Sequence, residues 1–312
     1  MKPITVLAIG GNSLIRNEDG RSFAAQLATV TETCRHIAAI VESGNEVVVT
    51  HGNGPQVGFL LIRSHLARNR LPEIPLDACN AQTQAEIGYM IQQALGNELR
   101  SRRIAKPVVT VVTQVIVNQD DPAFAQPTKP VGPFYTKAEA AALERELGWK
   151  VREDAGRGFR RLVPSPEPVA VVEQSEIESL LKAGAVVVAC GGGGIPVVQE
   201  NGRLAGVAAV IDKDAASALL ASAIGARRLV ISTAVEQVYL DYGRPTQRGL
   251  ARVTAEDLRK HLDAGQFPSG SMGPKVKAAL SFLERGGEEV VITDPEHLTA
   301  ALEGKTGTLI TV

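Results

Sequence analysis

Four consecutive glycines follow an apolar run, and this junction limits what the chain can fold into more than any other stretch. Residues 185–189 are typical of a buried strand, which Gly191 to Gly194 end sharply. Glycines at the end of a strand let backbone N–H groups approach an anion with no Cβ in the way. The junction therefore suits a site for several negative charges, although a plain tight loop would leave the same pattern.

A second feature follows soon after, where Asp212-Lys213-Asp214 stands immediately before a helical pattern at 215–224. The N-terminus of a helix carries a partial positive charge from its backbone dipole, and Lys213 adds a full charge. Together with the glycine loop, this indicates a site for a group such as a nucleotide triphosphate. Asp212 or Asp214 could instead simply cap the helix.

The order of strand, glycine turn and helix already occurs twice nearer the N-terminus. The predicted elements are, in order, strand 4–9, helix 23–42, strand 47–50, helix 57–66, helix 81–103, strand 108–117, helix 174–183, strand 185–189, helix 215–224, strand 228–232 and strand 289–293. This alternation predicts an α/β fold with a mainly parallel sheet and helices on each side. The near-continuous β-branched run 108–117 predicts a central strand covered on both faces.

Residues 118–168 break this alternation. They are rich in proline and in basic residues, and one short helix at 137–147 is the single regular element that their pattern predicts. Because so long a stretch is uncommon as a plain connection, we expect a small inserted lobe within one domain spanning 1–312. A solvated surface excursion would show the same composition.

The charge balance and the cysteine content exclude several classes of protein. Lys and Arg number 33 against 34 Asp and Glu, so no overall field draws the chain to nucleic acid or to a membrane. No apolar run approaches the roughly 18 residues that a membrane span needs. Cys34, Cys79 and Cys190 are few and widely spaced, without a C-x-x-C pair, which favours a reducing compartment. We therefore expect a soluble cytoplasmic protein.

The common nucleotide-binding and catalytic motifs are missing. Gly304-Lys305-Thr306 ends like a P-loop, but Thr299 stands where its first glycine should be, and the spacing of the glycines in 52–58 does not fit G-x-G-x-x-G. No G-x-S-x-G or H-E-x-x-H occurs, and no side-chain pattern suggests a metal site. An Mg²⁺ ion held mainly by phosphates and water would leave little trace in the sequence.

What remains is a set of glycine loops at strand ends, together with lysines that follow small residues. In a parallel sheet the loops 10–11, 52–54 and 191–194 would all lie along the carboxyl edge, where ligands bind. Phosphoryl transfer needs mainly positioning and cations near the transferred group. A base is needed only when the acceptor must lose a proton, so an anionic acceptor would suit this sequence, in which no base is obvious.

An ordered set of motifs nearly spans the chain and strongly resembles the carbamate kinases of the amino acid kinase family. The matching motifs are Gly10-Gly11-Asn12, His51-Gly52-Asn53-Gly54-Pro55-Gln56-Val57-Gly58, Pro127-Thr128-Lys129-Pro130-Val131-Gly132, Glu153-Asp154-Ala155-Gly156-Arg157-Gly158, Val163-Pro164-Ser165-Pro166, Cys190 to Val198, Val210 to Asp214 and Gly270-Ser271-Met272-Gly273-Pro274-Lys275. Each glycine stretch is a weak signal by itself, whereas the ordered set is highly specific. The inserted lobe with its P-T-K-P separates this group from acetylglutamate and aspartate kinases.

The resemblance implies a three-layer α/β/α sandwich that forms a homodimer and transfers phosphate between ATP and carbamate, with Mg²⁺ held mainly by phosphates and water. Lys213 and Lys275 would contact the phosphates and stabilise the transferring group, and Lys129 would reach that group from the lobe as the site closes. Asp214 would lie between lysines and keep them charged and oriented. Carbamate already carries its negative charge, which agrees with the missing base.

The resemblance also implies the residues that contact each substrate. Carbamate or phosphate oxygens would be held by Gly10, Gly11, Asn12, Gly52, Asn53 and Gly54. The nucleotide would be held by Gly191, Gly192, Lys213, Thr233, Val235, Tyr242, Met272 and Lys275. One departure concerns the nucleotide, because this chain has Ser232-Thr233-Ala234-Val235-Glu236 where members often read L-T-G-V-D. We expect the added methyl of Ala234 and the polar side chain of Ser232 to affect nucleotide affinity more than the reaction itself.

Plainer roles and other functions stay open at this point. Lys275 could be a surface lysine, Tyr242 and Met272 could be packing residues, and His51 and Cys190 could be a satisfied turn histidine and a buried thiol. A kinase of another small carboxylate or phosphonate would share this fold, as would a non-catalytic small-molecule sensor, although a sensor has no need of three converging lysines. The sequence leaves open the physiological direction and the pathway, with arginine, agmatine, allantoin and cyanate breakdown as options.

Overall fold

The computed structural model describes residues 2–11, 14–15, 18–154, 156, 158–268 and 270–312. Its strands are β1 (Ile4–Ile9), β2 (Glu46–His51), β3 (Val108–Thr110), β4 (Gln114–Val117), β5 (Lys129–Tyr135), β6 (Lys150–Glu153), β7 (Phe159–Val163), β8 (Pro168–Val171), β9 (Val186–Val188), β10 (Ile195–Glu200), β11 (Arg203–Gly206), β12 (Arg228–Ser232), β13 (Val238–Leu240), β14 (Arg248–Leu250), β15 (Arg252–Thr254), β16 (Glu289–Thr293) and β17 (Thr308–Thr311). Its helices are α1 (Phe23–Glu42), α2 (Gly54–Ala67), α3 (Leu76–Ser101), α4 (Pro122–Ala125), α5 (Lys137–Leu147), α6 (Gln174–Lys182), α7 (Lys213–Ala223), α8 (Ala255–Asp263), α9 (Met272–Glu284) and α10 (Leu298–Leu302).

The central sheet has eight strands in the order β15-β17-β16-β12-β1-β2-β9-β3. Each neighbouring pair is parallel except β16 and β17, which are antiparallel. The predicted mainly parallel sheet is therefore confirmed. Among the described helices, none is both long and apolar enough to cross a membrane.

Alternate residues of the central strands face two separate cores. In β1, Val6 and Ala8 pack into one core, while Leu7 and Ile9 pack into the other. Helices α6, α7 and α9 cover the first face, and α1, α3 and α10 cover the second. Since successive side chains of a strand point to opposite faces, an unbroken apolar run is what a sheet covered on both sides requires. The expected three-layer α/β/α sandwich is confirmed.

The run 108–117 is not one central strand, and that prediction is wrong. Residues 108–110 form β3, the edge strand of the central sheet, while 114–117 form β4 in a second, four-stranded sheet of order β11-β10-β4-β8. The side chain of Gln84 on α3 holds the break, because its Oε1 accepts from the Thr113 N–H at 2.8 Å and its Nε2 donates to the Thr113 carbonyl at 3.0 Å. The Thr113 N–H thus pairs with a side chain instead of a strand, while its carbonyl also accepts from the Ile195 N–H at 2.9 Å.

The segment between β4 and β8 contains more regular structure than its sequence predicts. Besides α5, which has the predicted bounds, it forms a three-stranded antiparallel sheet of order β5-β7-β6. The strand pattern of β5 is hidden by Pro130, by Gly132 with its φ of +77°, and by a register shift between Val131 and Tyr135. Proline and glycine of this kind normally argue against a strand, which is why the sheet was not predicted.

Candidate active site

The predicted glycine loops follow three neighbouring parallel strands. Strands β1, β2 and β9 lie side by side, so their carboxyl ends meet at one edge of the sheet. The loops at 10–11, 52–54 and 191–194 continue from these ends, and the Gly52 N–H donates to the Ile9 carbonyl at 3.1 Å. The expectation that they share the carboxyl edge of the sheet is confirmed.

The loop at 191–194 packs so closely on the loop at 52–54 that it admits no side chain. Gly192 has a φ of +67°, and a Cβ there would overlap the side-chain amide of Asn53. A Cβ on Gly193, whose φ is +92°, would overlap the carbonyl of Ile211, just before α7. The glycines therefore bring the 52–54 loop and the start of α7 against one backbone.

A polar face on α3 holds this loop in place, and the sequence reasoning missed it. The Asn53 amide donates to Asn80 and, at 2.9 Å, to Thr83 Oγ1. Asn80 Nδ2 donates to the Gly194 carbonyl at 3.1 Å, and Gln84 Nε2 donates to the Gly191 carbonyl at 3.0 Å. Residues 80, 83 and 84 are buried and lie at i, i+3 and i+4 on the face that Ile87 continues. Polar side chains on the apolar face of a helix were the available signal.

Asp214 lies between two lysine ammonium groups. Its Oδ1 is 3.1 Å from Lys213 Nζ in the same turn of α7, and its Oδ2 accepts from Lys275 Nζ of α9 at 2.9 Å. Lys213 Nζ also donates to the Ile9 carbonyl at the end of β1, at 3.2 Å. Asp214 is buried, and both lysine side chains are largely buried. The two ammonium groups thus meet at one point of the sheet edge.

The charges in this cluster shift one another's pKa values. Burial by itself would raise the pKa of Asp214, but Lys213 and Lys275 outweigh it and lower that pKa to about 2. Burial lowers the pKa of Lys213, with the charge of Lys275 acting in the same direction and that of Asp214 opposing it. Asp214 is therefore ionised at neutral pH, where its negative charge stabilises the charged form of both lysines.

Lys129 joins the cluster from the inserted segment. It is the first residue of β5, and its Nζ donates to Asp212 Oδ2 at 2.9 Å. Asp212 in turn caps α7, as the sequence allowed, whereas Asp214 has no capping role. One cavity is bordered by all four residues expected to be catalytic and by four further residues expected only to bind a substrate: Lys129, Lys213, Asp214, Lys275, Gly52, Asn53, Gly54 and Gly192.

A second cavity adjoins the first. Its lining includes the four side chains expected near the adenosine, namely Thr233, Val235, Tyr242 and Met272. Ser271 and Lys275 border both cavities, and the two neighbouring cavities together form the cleft. Tyr242 is 60% exposed, which is unusual for a packing residue, and its ring lies 6.0 Å from that of Tyr239 between centroids.

The structure does not bring every expected residue into the cleft. Gly191 is buried against His51 and Gln84, and Gly192 borders the lysine cavity rather than the one next to Thr233. Gly10 lies against the backbone of Ser232 at the end of β12, and Gly11 is exposed. In the described part of the chain, Gly10, Gly11 and Gly191 border neither cavity. Asn12 lies outside the described residues.

The cleft presents no free base among the residues that the structure describes. His51 is buried, and burial lowers its pKa to about 4. The charge of Lys213 also lowers this pKa, whereas the hydrogen bond between Nδ1 and the Gly52 carbonyl raises it. The histidine is therefore neutral at pH 7 and bound to its own turn. Of the carboxylates lining the lysine cavity, Asp212 is paired with Lys129, and Asp214 is paired with Lys213 and Lys275.

The described residues contain no cluster of three or more His, Cys, Asp or Glu side chains placed to hold a metal ion. All three cysteines are buried and unpaired. The Cys190 thiol has a raised pKa because of its burial, which makes it unreactive at neutral pH.

The family model and proteins of similar sequence both place this chain in one family. The model of the amino acid kinase family matches residues 3–294. A carbamate kinase of Thermococcus kodakarensis is 49% identical over 308 residues, which cover 98% of each chain. A carbamate kinase-like protein of Escherichia coli, YahI, is 49% identical over 314 residues, which cover 99% of each chain.

Solved structures agree with these relatives. Carbamate kinase from Giardia lamblia bound to AMP-PNP matches with a TM-score of 0.94 and 40% identity, covering 99% of this chain and 98% of that one. A structure from Aeropyrum pernix matches with the same TM-score and 43% identity, covering 99% of both chains. The chain therefore belongs to the amino acid kinase family and, within it, to the carbamate kinases.

Proposed function

We propose that this protein transfers a phosphoryl group reversibly between ATP and carbamate, giving ADP and carbamoyl phosphate. The observation that carries the proposal is the convergence of Lys129, Lys213 and Lys275 on one cavity, which shares Ser271 and Lys275 with the pocket beside Tyr242. The relatives support the choice of substrates, because those with 48–50% identity include carbamate kinases from archaea and staphylococci.

Positive charge in this cavity would stabilise the transferring group. The transition state of phosphoryl transfer spreads negative charge over the oxygens of the moving group, and fixed cations stabilise it without reorganising. Lys213 and Lys275 are held in place by Asp214, and Lys129 is held by Asp212. In the proposed complex, these three ammonium groups surround the phosphoryl group between its donor and its acceptor.

The acceptor would occupy the wall formed by residues 52–54 and Gly192. This wall offers backbone groups with almost no side-chain bulk, and the Asn53 side chain is already engaged by Asn80 and Thr83. A small anion fits such a wall better than a substrate with a long chain. Carbamate is an anion at neutral pH, so its attack on the phosphoryl group needs no base, in agreement with the neutral, buried state of His51.

We propose that Mg²⁺ accompanies the nucleotide and is bound mainly by phosphate oxygens and water. The donor set supports this arrangement, since both carboxylates of the cavity are occupied by lysines and no cluster of metal ligands occurs among the described residues. When bound, the ion would neutralise phosphate charge that the lysines do not reach.

A coupled assay that measures ATP formed from ADP and carbamoyl phosphate tests this function. Wild-type protein is expected to form ATP in the presence of Mg²⁺, and the Lys213→Ala variant is expected to lose activity while keeping its fold by circular dichroism. A panel of acyl phosphates with longer chains, assayed in parallel, tests the substrate class. Faster turnover of any longer acyl phosphate would replace carbamate with that substrate, and the absence of any turnover would favour a sensor.

We further propose a cytoplasmic homodimer. Phe23 of α1 and Tyr89 of α3 stack at a centroid distance of 6.2 Å, yet they are 44% and 52% exposed. Aromatic residues are enriched at protein–protein interfaces relative to the rest of the surface, which supports an interface at this pair. Light scattering coupled to size exclusion should therefore give twice the mass of 33.0 kDa, and a monomeric mass would contradict the dimer.

A further inference from the structure

Asp212 uses its two carboxylate oxygens for two different contacts. Oδ1 accepts hydrogen bonds from the backbone N–H groups of Asp214 at 2.9 Å and Ala215 at 3.4 Å, which caps α7. Oδ2 accepts from Lys129 Nζ at 2.9 Å, across a sequence separation of 83 residues. Only the contacts of Oδ1 are needed to cap the helix, so the bond from Oδ2 to Lys129 is not explained by capping.

A backbone hydrogen bond also joins the loop that precedes α7 to the sheet β5-β7-β6, near Lys129. Lys129 lies in register with Val163 of β7, and the next residue, Pro164, accepts at its carbonyl from the Val210 N–H at 3.0 Å. Residues 210–212 therefore contact the lobe through one backbone bond and one ion pair. Because the backbone bond does not depend on the Asp212 side chain, substitution there would release the ammonium group without detaching the lobe.

The two aspartates on either side of Lys213 make the same kind of contact. Asp214 holds Lys275 of α9, and Asp212 holds Lys129 of β5, so each aspartate binds a lysine from a distant element. The first turn of α7 thereby sets the positions of all three cations. The Asp214 side chain is 5% exposed, whereas those of Asp212 and Lys129 are 25% and 42% exposed. The ion pair between Asp212 and Lys129 is therefore more accessible to water and breaks more readily than the pair between Asp214 and Lys275.

We propose that Asp212 is a positioning residue, which fixes the Lys129 ammonium group to the N-terminus of α7 and so sets its place relative to Lys213. This inference rests on the proposed function for its effect on catalysis, but not for the contact itself. An ion pair this exposed contributes little to folding. Its loss is therefore expected to show in the freedom of Lys129 and in turnover rather than in stability.

Lysine labelling of the ligand-free protein tests the contact directly. In Asp212→Asn the remaining side-chain oxygen still caps α7, while the negative charge is gone. We expect acetylation of Lys129 by limiting reagent, measured by mass spectrometry, to become roughly two- to fivefold faster. Lys137, an exposed lysine of the same lobe, serves as the matched control. An unchanged rate at Lys129, or an equal increase at Lys137, would overturn the proposal.

A double-mutant cycle with Lys129→Met tests the catalytic consequence. In the wild-type background, Asp212→Asn should lower kcat/KM for carbamoyl phosphate about tenfold, because a misplaced catalytic group is costly. In the Lys129→Met background, the same change should cost less than twofold. Equal factors in the two backgrounds, or no loss in the first, would overturn the proposal. If the wild-type protein forms no ATP at all, the proposed function fails, and the labelling result still decides whether Asp212 holds Lys129.

Discussion

Asp214 and Lys275 are 61 positions apart in the chain, yet Oδ2 of the aspartate accepts a hydrogen bond from the lysine Nζ at 2.9 Å. The same carboxylate faces Lys213 through its other oxygen, at 3.1 Å. Helices α7 and α9 are both packed on one face of the central sheet, which brings their first turns to the carboxyl edge. One buried anion therefore holds two cations at the place where the glycine loops end.

Lys275→Ala should lower kcat for ATP formation at least about a hundredfold, because removal of one fixed charge or donor from a transition-state site costs about this much. Lys277 is the matched control, since it lies on the same helix and is exposed. Lys277→Ala should stay within about twofold of wild type on the same basis. Steady-state kinetics with saturating ADP and carbamoyl phosphate measure both. Retention of more than a tenth of kcat in Lys275→Ala would show that this lysine is not part of the machinery.

Asp214→Asn should move the alkaline limb of the pH profile of kcat/KM to lower pH. Burial already lowers the pKa of Lys213, and the charge of Asp214 opposes that shift. Without this charge the lysine loses its proton at a lower pH, and activity that depends on the ammonium group falls with it. Asp263→Asn, at an exposed position, should leave the limb unchanged. If the limb of Asp214→Asn coincides with that of wild type, Lys213 is not the titrating group.

The same carboxylate should contribute to stability in a defined pH window. Its pKa is lowered from 3.8 to about 2 in the folded protein, so the folded state binds its proton less readily than the unfolded state. The contribution is present above about pH 4 and is lost as the pH falls towards 2, by about 2 kcal/mol in the free energy of unfolding.

Urea titrations between pH 6 and pH 2 measure this loss. Wild type should become less stable over the window by more than Asp214→Asn does, because the variant has no carboxylate to protonate at this position. Parallel declines in the two proteins would place the acid sensitivity elsewhere in the chain.

Gly192→Ala should destabilise the protein more than Gly202→Ala, although both glycines have a positive φ. Gly202, in the turn between β10 and β11, has a φ of +77° and open space around it, so Gly202→Ala should cost about 1 kcal/mol from backbone strain alone. Gly192 has a similar φ of +67°, but its Cβ would overlap Asn53, and overpacking adds about 1–3 kcal/mol. Thermal and urea unfolding compare the two variants, and equal losses would show that the contact with Asn53 relaxes freely.

Tyr242→Ala should raise KM for ADP about tenfold, with little change in KM for carbamoyl phosphate. The ring borders the pocket beside Thr233 and is exposed at its rim, where it can cover a nucleotide base, and stacking on a base is worth about 1–3 kcal/mol. Tyr242→Phe keeps the ring and should bind ADP almost as wild type does. Similar KM values for all three proteins would place the base elsewhere.

Much of the fold follows from local sequence pattern. The alternation of strand, glycine turn and helix predicted the parallel sheet, and the predicted bounds of α1, α5 and β12 agree with those observed. Parallel strands all end at one edge, so the shared position of the glycine loops also followed from the sequence. These features could be predicted because periodicity and turn residues act over a few positions, without reference to the rest of the chain.

Other features depend on partners that are distant in the chain. Residues 108–117 have the composition of a central strand, but Gln84 of α3 divides them between two sheets. Strands β5, β6 and β7 pair with one another despite proline and glycine in β5. Neither Gln84 nor a partner strand can be identified from the local pattern of residues 108–117 or of β5.

The sequence alone determined the layers of this protein, the edge of the sheet at which its loops gather, and the residue types that a phosphate site needs. Only the tertiary structure decided that Asp212 and Asp214 each bind a lysine from a different element, and that Gly192 faces the lysine cavity. The physical reason is that side-chain charge acts through space. Which charges meet is set by the order of the strands and by the packing of α7, α9 and the sheet β5-β7-β6, none of which is encoded in any short stretch of the chain.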